Sequence, residues 1–277
     1  MSSELLEPVS RIAQAAGGRI MEVYATDFDV EQKEDNSPLT RADMAAHETI
    51  VSGLQEITPD WPILSEESAA ISYSERANWR RYWLVDPLDG TREFVKRNGE
   101  FTVNIALIDD HKPVLGVVYV PVTGVIYFAA AGAGAFKGLP GQSPTAIRVR
   151  SCPKDRLTVM GSRSHGGEYL QKFVNGLETE VELVSVGSSL KMCLVAEGEA
   201  DVYPRFGPTS EWDTAAAQCV VEQAGGYLTD MELQRLRYNT KESLLNPYFL
   251  VFGDANRDWS RYIVLLANKE VMADNNR

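Results

Sequence analysis

Three consecutive strand-forming segments constrain the fold of this chain more than any other feature. Residues 101–110, 113–122 and 125–136 read FTVNIALIDD, PVLGVVYVPV and VIYFAAAGAGAF. β-Branched and aromatic residues dominate each segment, and glycine or proline separates the segments, which is the pattern of an antiparallel meander. The sequence therefore predicts an antiparallel β-sheet in the middle of the chain, with a hairpin turn at the glycine-rich GAGAFKG.

Helical patterns surround these strands. Residues 4–25 have apolar side chains at helical spacing, and Thr40 begins a second helical pattern in which Asp43 stands where a capping box has its acid. Further along, the sequence predicts strands at residues 157–162, 181–188, 201–206 and 248–254, and helices at residues 167–177, 189–200, 211–226 and from about residue 259. Strands and helices alternate without a regular βαβ rhythm, which favours a layered α+β fold.

The length of 277 residues fits one large domain. The chain becomes polar around residues 137–155, which is a plausible seam between two parts. We therefore expect a single domain over residues 1–277 with two sub-halves, residues 1–150 and residues 151–277.

The charge of the chain excludes several classes of function. The formal net charge is −12, so the chain lacks the basic surface that a nucleic-acid-binding protein needs. An anionic substrate would be repelled at long range and would need local cations or metal ions. The three cysteines, Cys152, Cys193 and Cys219, lie far apart, without zinc-ligand spacing or an even number for a disulfide framework.

The beginning of the sequence lacks the basic and apolar segments of a signal peptide. The longest apolar runs are shorter than the roughly 18 residues of a membrane-spanning helix. We therefore expect a cytoplasmic protein without a transmembrane segment, and leave open a peripheral attachment to the cytoplasmic face of the inner membrane. The sequence does not indicate an oligomeric state.

Acidic residues recur where apolar segments give way to polar ones. Asp86 and Asp89 follow a strand pattern in WLVDPLDGTREF, Glu66 follows WPILS, and Asp43 and Asp213 stand at predicted helix starts. Hard divalent cations such as Mg²⁺ choose carboxylate and carbonyl oxygens, so these acids could form a metal site. From the residues alone a second interpretation stays open, in which the acids cap helices and DPLDG is an Asx-type turn.

Three motifs resemble those of the inositol monophosphatase superfamily of metal-dependent phosphatases: LSEES at residues 64–68, WLVDPLDGTREF at residues 83–94 and EWDTAAAQCVVEQAGG at residues 211–226. The resemblance implies a layered α/β/α/β/α sandwich and two or three Mg²⁺ ions. The metal ligands that it implies are Glu66, Asp86, Asp89, Asp213 and the Leu88 carbonyl. It also implies that Thr91, with Asp43 behind it, orients and deprotonates a water molecule, assisted by Glu66.

Within the superfamily, GSRSH at residues 161–165 and the stretch at residues 186–213 resemble the CysQ-type 3′(2′),5′-bisphosphate nucleotidases. The resemblance implies a bisphosphorylated nucleotide as substrate, bound by Glu66, Leu88, Asp89, Gly90, Thr91, His165, Ser188, Lys191, Arg205 and Asp213. Without the resemblance, the residues favour a solvated helical lysine for Lys191, a surface ion pair for Arg205 and an exposed loop residue for His165.

The sequence thus predicts Mg²⁺-dependent removal of the 3′-phosphate of adenosine 3′,5′-bisphosphate, with the 5′-phosphosulfate precursor as a possible second substrate. One alternative is an inositol monophosphatase or a sugar (bis)phosphatase that uses the same metal cluster. An alternative of another class is a non-catalytic regulator that binds a phosphometabolite.

Overall fold

The structure is a computed structural model and describes residues 2–26, 30–32, 38–162 and 167–264. The strands in these ranges are β1 (Val30–Gln32), β2 (Pro38–Thr40), β3 (Ile63–Ser65), β4 (Arg81–Asp89), β5 (Thr102–Asp109), β6 (Lys112–Val120), β7 (Val125–Ala130), β8 (Gly134–Gly138), β9 (Thr145–Ile147), β10 (Arg156–Ser162), β11 (Glu180–Val186), β12 (Val202–Arg205), β13 (Tyr227–Asp230) and β14 (Phe249–Phe252). The α-helices are α1 (Leu6–Tyr24), α2 (Arg41–Ile57), α3 (Tyr73–Arg76), α4 (Thr91–Val95), α5 (Glu168–Gly176), α6 (Leu190–Ala196), α7 (Glu211–Gln223) and α8 (Ser260–Val264).

The larger sheet has seven strands that lie side by side in chain order, from β3 to β9. β3 pairs with β4 in parallel, and every later pair is antiparallel. The antiparallel meander predicted for residues 101–136 is therefore confirmed, and the glycine-rich segment forms the β7–β8 hairpin. The meander forms because its alternating β-branched residues can bury both faces of the sheet.

The smaller sheet has five strands in the order β11-β10-β12-β14-β13. β10 is parallel to β11 and β12, whereas β14 is antiparallel to both of its neighbours. The mixed order agrees with the expected α+β class and with the absence of a regular βαβ rhythm.

The first helical layer is formed by α1 and α2, which cover one face of the larger sheet. Helix α1 buries a stripe at helical spacing that consists of Val9, Ala13, Ala16 and Ile20. This stripe and the matching face of α2 pack on sheet residues that include Trp83, Val103 and Val117.

The central helical layer is formed by α6 and α7, which lie between the two sheets. Helix α7 is apolar on most of its circumference, as expected of a helix buried between two layers. It approaches β6 so closely that a Cβ atom on Gly116 would lie 2.2 Å from the carbonyl oxygen of Ala216. Only glycine fits there, and this contact fixes the distance between α7 and the larger sheet. Helix α7 carries Asp213 in its first turn.

The outer layer is formed by α5 and α8, whose residues Phe173, Trp259 and Tyr262 pack on Val159 and Leu250 of the smaller sheet. The order of layers is helix, sheet, helix, sheet, helix, so the expected α/β/α/β/α sandwich is confirmed. No helix in the described part of the chain is both long and apolar enough to cross a membrane.

The structure differs from the sequence prediction in a few elements. Strand β4 continues through the acidic motif to Asp89, although the motif was expected to leave the strand as a turn. The short strands β9 and β13 and the one-turn helix α3 were not predicted, because each is only three or four residues long.

Candidate active site

The acidic motif at the end of β4 combines an irregular strand with a tight turn. The register between β4 and β5 shifts between Asp86 and Asp89, and the Asp86 Oδ1 atom accepts a hydrogen bond from the Leu88 amide at 3.0 Å. Gly90 follows in the left-handed region with φ of 95°, and Thr91 begins α4. Glycine tolerates that φ at little cost, so the chain can turn sharply while both carboxylates stay on one side. The Asx-type turn is therefore present, and it aims the acids rather than replacing a metal site.

Asp213 approaches this motif from the first turn of α7. Its Oδ2 atom accepts a hydrogen bond from the Ser210 amide at 2.8 Å as part of a capping box. A ligand atom from each of Asp86, Asp89 and Asp213 lies within 4.8 Å of the others. The capping role and the acidic cluster therefore exist together, and the first half and the second half of the chain both contribute to the cluster.

The electrostatics of the cluster are unfavourable without a cation. Burial raises the pKa of Asp86 well above its usual range, and the charges of Glu66, Asp89, Asp213 and Asp43 raise it further. Burial, followed by Asp89 and Glu66, raises the pKa of Asp213 to about 8. Like charges held this close cannot all ionise unless positive charge is added from outside the chain. The donor set of carboxylate oxygens fits a hard divalent cation.

Asp43 and Glu66 lie beside this cluster, as the sequence analysis expected. Asp43 is completely buried in the first turn of α2. Glu66 follows the edge strand β3 and lines the same cleft as the three clustered aspartates. Both carboxylates act on the pKa of Asp86, so they are close enough to share its electrostatic environment.

Asp89 is held by residues that the sequence analysis did not single out. Its Oδ2 atom accepts hydrogen bonds at 2.6 Å from both the amide and the hydroxyl of Ser189. The Asn104 Nδ2 atom lies 2.8 Å from the Ser189 hydroxyl, whose oxygen is also 2.7 Å from the Asp213 carbonyl oxygen. Ser189 thus joins two acids of the cluster to the start of α6.

Lys191 occupies a second, adjacent environment. It is 5% exposed, which excludes the solvated helical lysine considered above. Its ammonium group donates to the carbonyl oxygens of Val186 at 3.1 Å and Ser188 at 2.7 Å, and lies 5.3 Å from the centre of the Tyr203 ring. Burial lowers the pKa of Lys191 to about 8. A buried ammonium with two carbonyl partners has a third N–H available for an anion.

Arg205 lies at the end of β12, close enough to Lys191 for its charge to lower the pKa of that lysine. Its guanidinium donates to the Thr209 hydroxyl at 2.7 Å and to the Pro208 carbonyl at 2.9 Å. Within the described part of the chain it forms no ion pair, which excludes the surface ion pair that was the alternative.

Two further residues were predicted to bind the substrate. Ser188 adopts a positive φ of 49°, and His165 lies outside the described residues.

Two connected cavities join these groups. A cleft of about 580 Å³ is lined by Glu66, Asp86, Leu88, Asp89, Gly90, Thr91 and Asp213, and also by Pro208, Trp212 and Leu245. A smaller cavity of about 140 Å³ is lined by Ser188, Lys191 and Tyr203. Asp89, Arg92 and Arg205 line both cavities, so the acidic cluster and the buried lysine are accessible to one molecule.

The structure therefore brings together every described residue that the sequence analysis named for the site. It adds Ser189, Asn104, Tyr203, Trp212 and Leu245, which lie in or beside the cavities. Ser189 and Trp212 stand next to predicted residues, and that proximity was the available signal. Asn104, Tyr203 and Leu245 reach the site only through sheet pairing and loop packing, so no local pattern marks them.

Comparisons with known proteins agree with this geometry. The model of the inositol monophosphatase family matches residues 1–261. The chain is 51% identical over 249 residues to the 3′(2′),5′-bisphosphate nucleotidase CysQ of Escherichia coli (strain K12), which covers 89% of this chain and 99% of that protein. It is 37% identical over 260 residues to the protein of the same name from Haemophilus influenzae, with coverage of 94% and 96%.

Solved structures are similar over nearly the whole chain. The crystal structure of CysQ from Bacteroides thetaiotaomicron matches with a TM-score of 0.79 and 42% identity, covering 93% of this chain and 99% of that one. The SuhB protein from Bartonella henselae matches with a TM-score of 0.77 and 24% identity, covering 96% and 99%, and supports the fold alone. The chain belongs to the inositol monophosphatase family, and the resemblance to its CysQ-type members is confirmed.

Proposed function

We propose that this protein is a Mg²⁺-dependent phosphomonoesterase that removes the 3′-phosphate of adenosine 3′,5′-bisphosphate, giving AMP and phosphate. One observation carries the proposal: a cluster of acids and a buried lysine line connected cavities that share Asp89 and Arg205. A substrate with two phosphates can reach both groups at once. The high identity to proteins named 3′(2′),5′-bisphosphate nucleotidase CysQ supports the same substrate. The sulfated precursor of this nucleotide fits the same description and is proposed as a second substrate.

The metal ligands that we propose are Glu66, Asp86, Asp89, Asp213 and the Leu88 carbonyl, which would hold two or three Mg²⁺ ions. The clustering of Asp86, Asp89 and Asp213 and the raised pKa of two of them support this ligand set. When bound, Mg²⁺ supplies Lewis acidity toward the phosphate and leaving-group oxygens. Ser189 and Asn104 would keep Asp89 in place, as hydrogen-bonded partners of metal ligands commonly do.

Thr91 and Asp43 are the residues that we propose to orient the attacking water molecule and accept its proton. Thr91 lines the cleft beside the acids, with its hydroxyl 3.5 Å from the Leu88 carbonyl oxygen. Asp43 is completely buried beside the cluster, and a positioned carboxylate can act as a general base. Glu66 is proposed to assist the same water molecule. Gly90 and Thr91 would contact the phosphate that is cleaved.

The second phosphate would bind in the smaller cavity. Lys191, Arg205 and Ser188 line that cavity, and the ammonium group of Lys191 has one N–H beyond the two that donate to carbonyl oxygens. An anion there would compensate the burial that lowers the pKa of Lys191. His165 completes the proposed substrate-binding residues on the strength of the sequence alone. An inositol or sugar monophosphate has no second phosphate to satisfy this lysine, so the geometry favours a bisphosphorylated substrate, and the identity to the CysQ proteins favours a nucleotide over a sugar bisphosphate.

A phosphate-release assay tests the proposal directly. The substrates are adenosine 3′,5′-bisphosphate, its sulfated precursor, inositol 1-phosphate and fructose 1,6-bisphosphate, each with and without Mg²⁺. We expect the highest kcat/KM for the two nucleotides and no turnover without the metal. Calorimetric titration with Mg²⁺ gives an independent measure of the proposed ligands, because Asp213→Asn should weaken binding. Higher kcat/KM for inositol 1-phosphate than for the nucleotides would refute the substrate, and turnover by none of the four would favour a non-catalytic regulator.

A further inference from the structure

The loop at residues 239–246 is fastened to the start of helix α7. The Glu211 amide donates to the Leu244 carbonyl at 2.8 Å, and the Asn246 amide donates to the Thr209 carbonyl at 2.8 Å. The Asn246 side chain adds hydrogen bonds to the helix start at 2.8 Å and 2.9 Å. The loop is therefore attached along its length, beside the helix that carries Asp213.

A buried arginine fixes the other side of this loop. Arg76 is 2% exposed, and its guanidinium donates to the Asn239 side-chain oxygen and to the carbonyl oxygens of Lys241 and Glu242. The Asn239 amide group donates back to the Arg76 carbonyl at 2.6 Å. The guanidinium also lies 4.9 Å from the centre of the Tyr73 ring. So many fixed contacts leave the loop little freedom to rearrange.

This rigid loop presents an apolar side chain to the cleft. Leu245 is 47% exposed, although its neighbours in the loop are fastened to the protein. It lines the larger cleft together with Pro208 and Trp212. A single exposed leucine on a surface needs no explanation. Here three apolar residues lie together in the cleft that also holds the acidic cluster.

We infer that Leu245, Trp212 and Pro208 form the contact surface for the nucleobase of the substrate. The inference rests on the proposed function, because it assigns the part of the cleft that the two phosphates of the substrate do not occupy. One phosphate would lie at the acids and the other in the cavity of Lys191, which leaves the rest of the larger cleft for the flat aromatic base. An indole ring, a proline ring and a leucine side chain provide the apolar, aromatic surface that such a group prefers.

The fastening of the loop strengthens this contact. A surface that is already ordered loses little conformational entropy when a ligand binds to it. Arg76 acts as a positioning residue in this arrangement, since it contacts the loop through Asn239 and does not line the cleft. The base would thus contribute to affinity without a closing motion.

Kinetics with two matched substrates test the inference. One is adenosine 3′,5′-bisphosphate, and the other is 1,4-anhydroribitol 3,5-bisphosphate, which keeps both phosphates and the ribose ring but lacks the base. In Leu245→Ala we expect the KM for the nucleotide to rise about fivefold, as for loss of a partly covered leucine side chain, with kcat unchanged. The KM for the base-free compound should stay at the wild-type value. Leu245→Met, which keeps the apolar volume, should bind both compounds like the wild type.

The control is Leu139→Ala, because Leu139 is also an exposed leucine at 38% but follows strand β8, away from the cleft. It should change neither KM. An unchanged nucleotide KM in Leu245→Ala, or an equal rise for both compounds, would overturn the inference while leaving the proposed function intact. Failure of the wild-type protein to hydrolyse the nucleotide would instead overturn the proposed function, and the inference with it.

Discussion

The acidic cluster and the cavity of Lys191 are both buried and charged, but they differ in how the protein satisfies them. Burial raises the pKa of Asp86 and Asp213, and because the acids of the cluster face one another their mutual repulsion raises both further. Lys191 has two carbonyl partners and an aromatic ring, and burial is the largest cause of its lowered pKa. The acids therefore need several positive charges from outside, whereas the lysine needs one anion and can otherwise release its proton.

A third buried charge, that of Arg76, has more hydrogen-bond partners within the protein than that of Lys191. The two terminal nitrogens of the Arg76 guanidinium donate to side-chain and carbonyl oxygens of the loop that it fixes, and its Nε atom is buried without a hydrogen-bond partner among the described residues. A charge that the protein satisfies by itself stabilises the fold, and a charge that it leaves partly unsatisfied is available to a ligand. This comparison separates structural from functional charges without reference to any relative.

Removal of one acid should produce the largest effect. Asp213→Asn should lower kcat/KM for adenosine 3′,5′-bisphosphate by on the order of 10³-fold, because the neutral amide is a weaker ligand for the proposed metal. The amide oxygen can still cap α7, and one repelling charge is gone, so the melting temperature without Mg²⁺ should be equal to or higher than that of the wild type. Asp60→Asn, which changes an exposed acid away from the cleft, should alter neither quantity. A large fall in melting temperature would mean that Asp213 is structural.

Removal of the Arg76 charge should affect stability rather than catalysis. Arg76→Met should lower the free energy of unfolding by about 3 kcal/mol or more, because it leaves buried oxygens of the loop without their donors. Arg80→Met, which changes a neighbouring arginine with a side chain 85% exposed, should lower it by less than about 0.5 kcal/mol. Urea denaturation of both variants gives the comparison. Equal stabilities would show that the loop does not depend on Arg76.

A neutral residue on the acidic side separates catalysis from binding. Thr91→Ala should lower kcat by about 10²-fold and change KM much less, since the proposed hydroxyl orients the water molecule and is only one of several proposed contacts to the substrate. Steady-state kinetics at saturating Mg²⁺ measure both constants. A rise in KM at constant kcat would contradict the proposed role of Thr91.

On the lysine side the effect should appear in KM. Lys191→Met should raise the KM for adenosine 3′,5′-bisphosphate by roughly 30-fold, the worth of a charged hydrogen bond, while kcat changes little. Any turnover of inositol 1-phosphate should stay at its wild-type level, because that substrate has no second phosphate. The methionine fills the same volume and needs no partners, so the fold should be retained. A uniform loss with both substrates would place Lys191 outside the second phosphate site.

The sequence predicts the two charged regions unequally well. The acids lie in short motifs, so Asp86, Asp89 and Asp213 could be assigned by local pattern and resemblance. The environment of Lys191 depends on Tyr203 from another strand and on the packing of α6 between two sheets, and no local pattern shows that a helical lysine is buried. Leu245 is still harder to predict, since its place in the cleft depends on a loop fastened by Arg76, about 170 residues earlier in the chain. The large sheet was predictable because its strands are neighbours in sequence, and the short strands β9 and β13 were not.

The smallest effect concerns pH, and its sign differs between binding and folding. Burial is the largest of the effects that lower the pKa of Lys191 to about 8. The charge of Arg205 lowers it further, whereas the charges of Asp89, Glu93 and Glu100 act in the opposite direction. Above that pH the lysine loses its charge in the free protein, so the KM for adenosine 3′,5′-bisphosphate should rise by up to about tenfold per pH unit.

Substrate binding should weaken as the pH rises, whereas the free energy of unfolding should increase. Between pH 8 and the ordinary lysine value of 10.5 the unfolded chain binds more protons at this residue than the folded one, so this residue's contribution to stability increases as the pH rises. Lys191→Met should remove both trends, and the difference between variant and wild type isolates them from other titrating groups. A KM that is flat across pH 7–9.5 in the wild type would mean that the cavity keeps Lys191 charged, and that burial does not leave it in need of an anion.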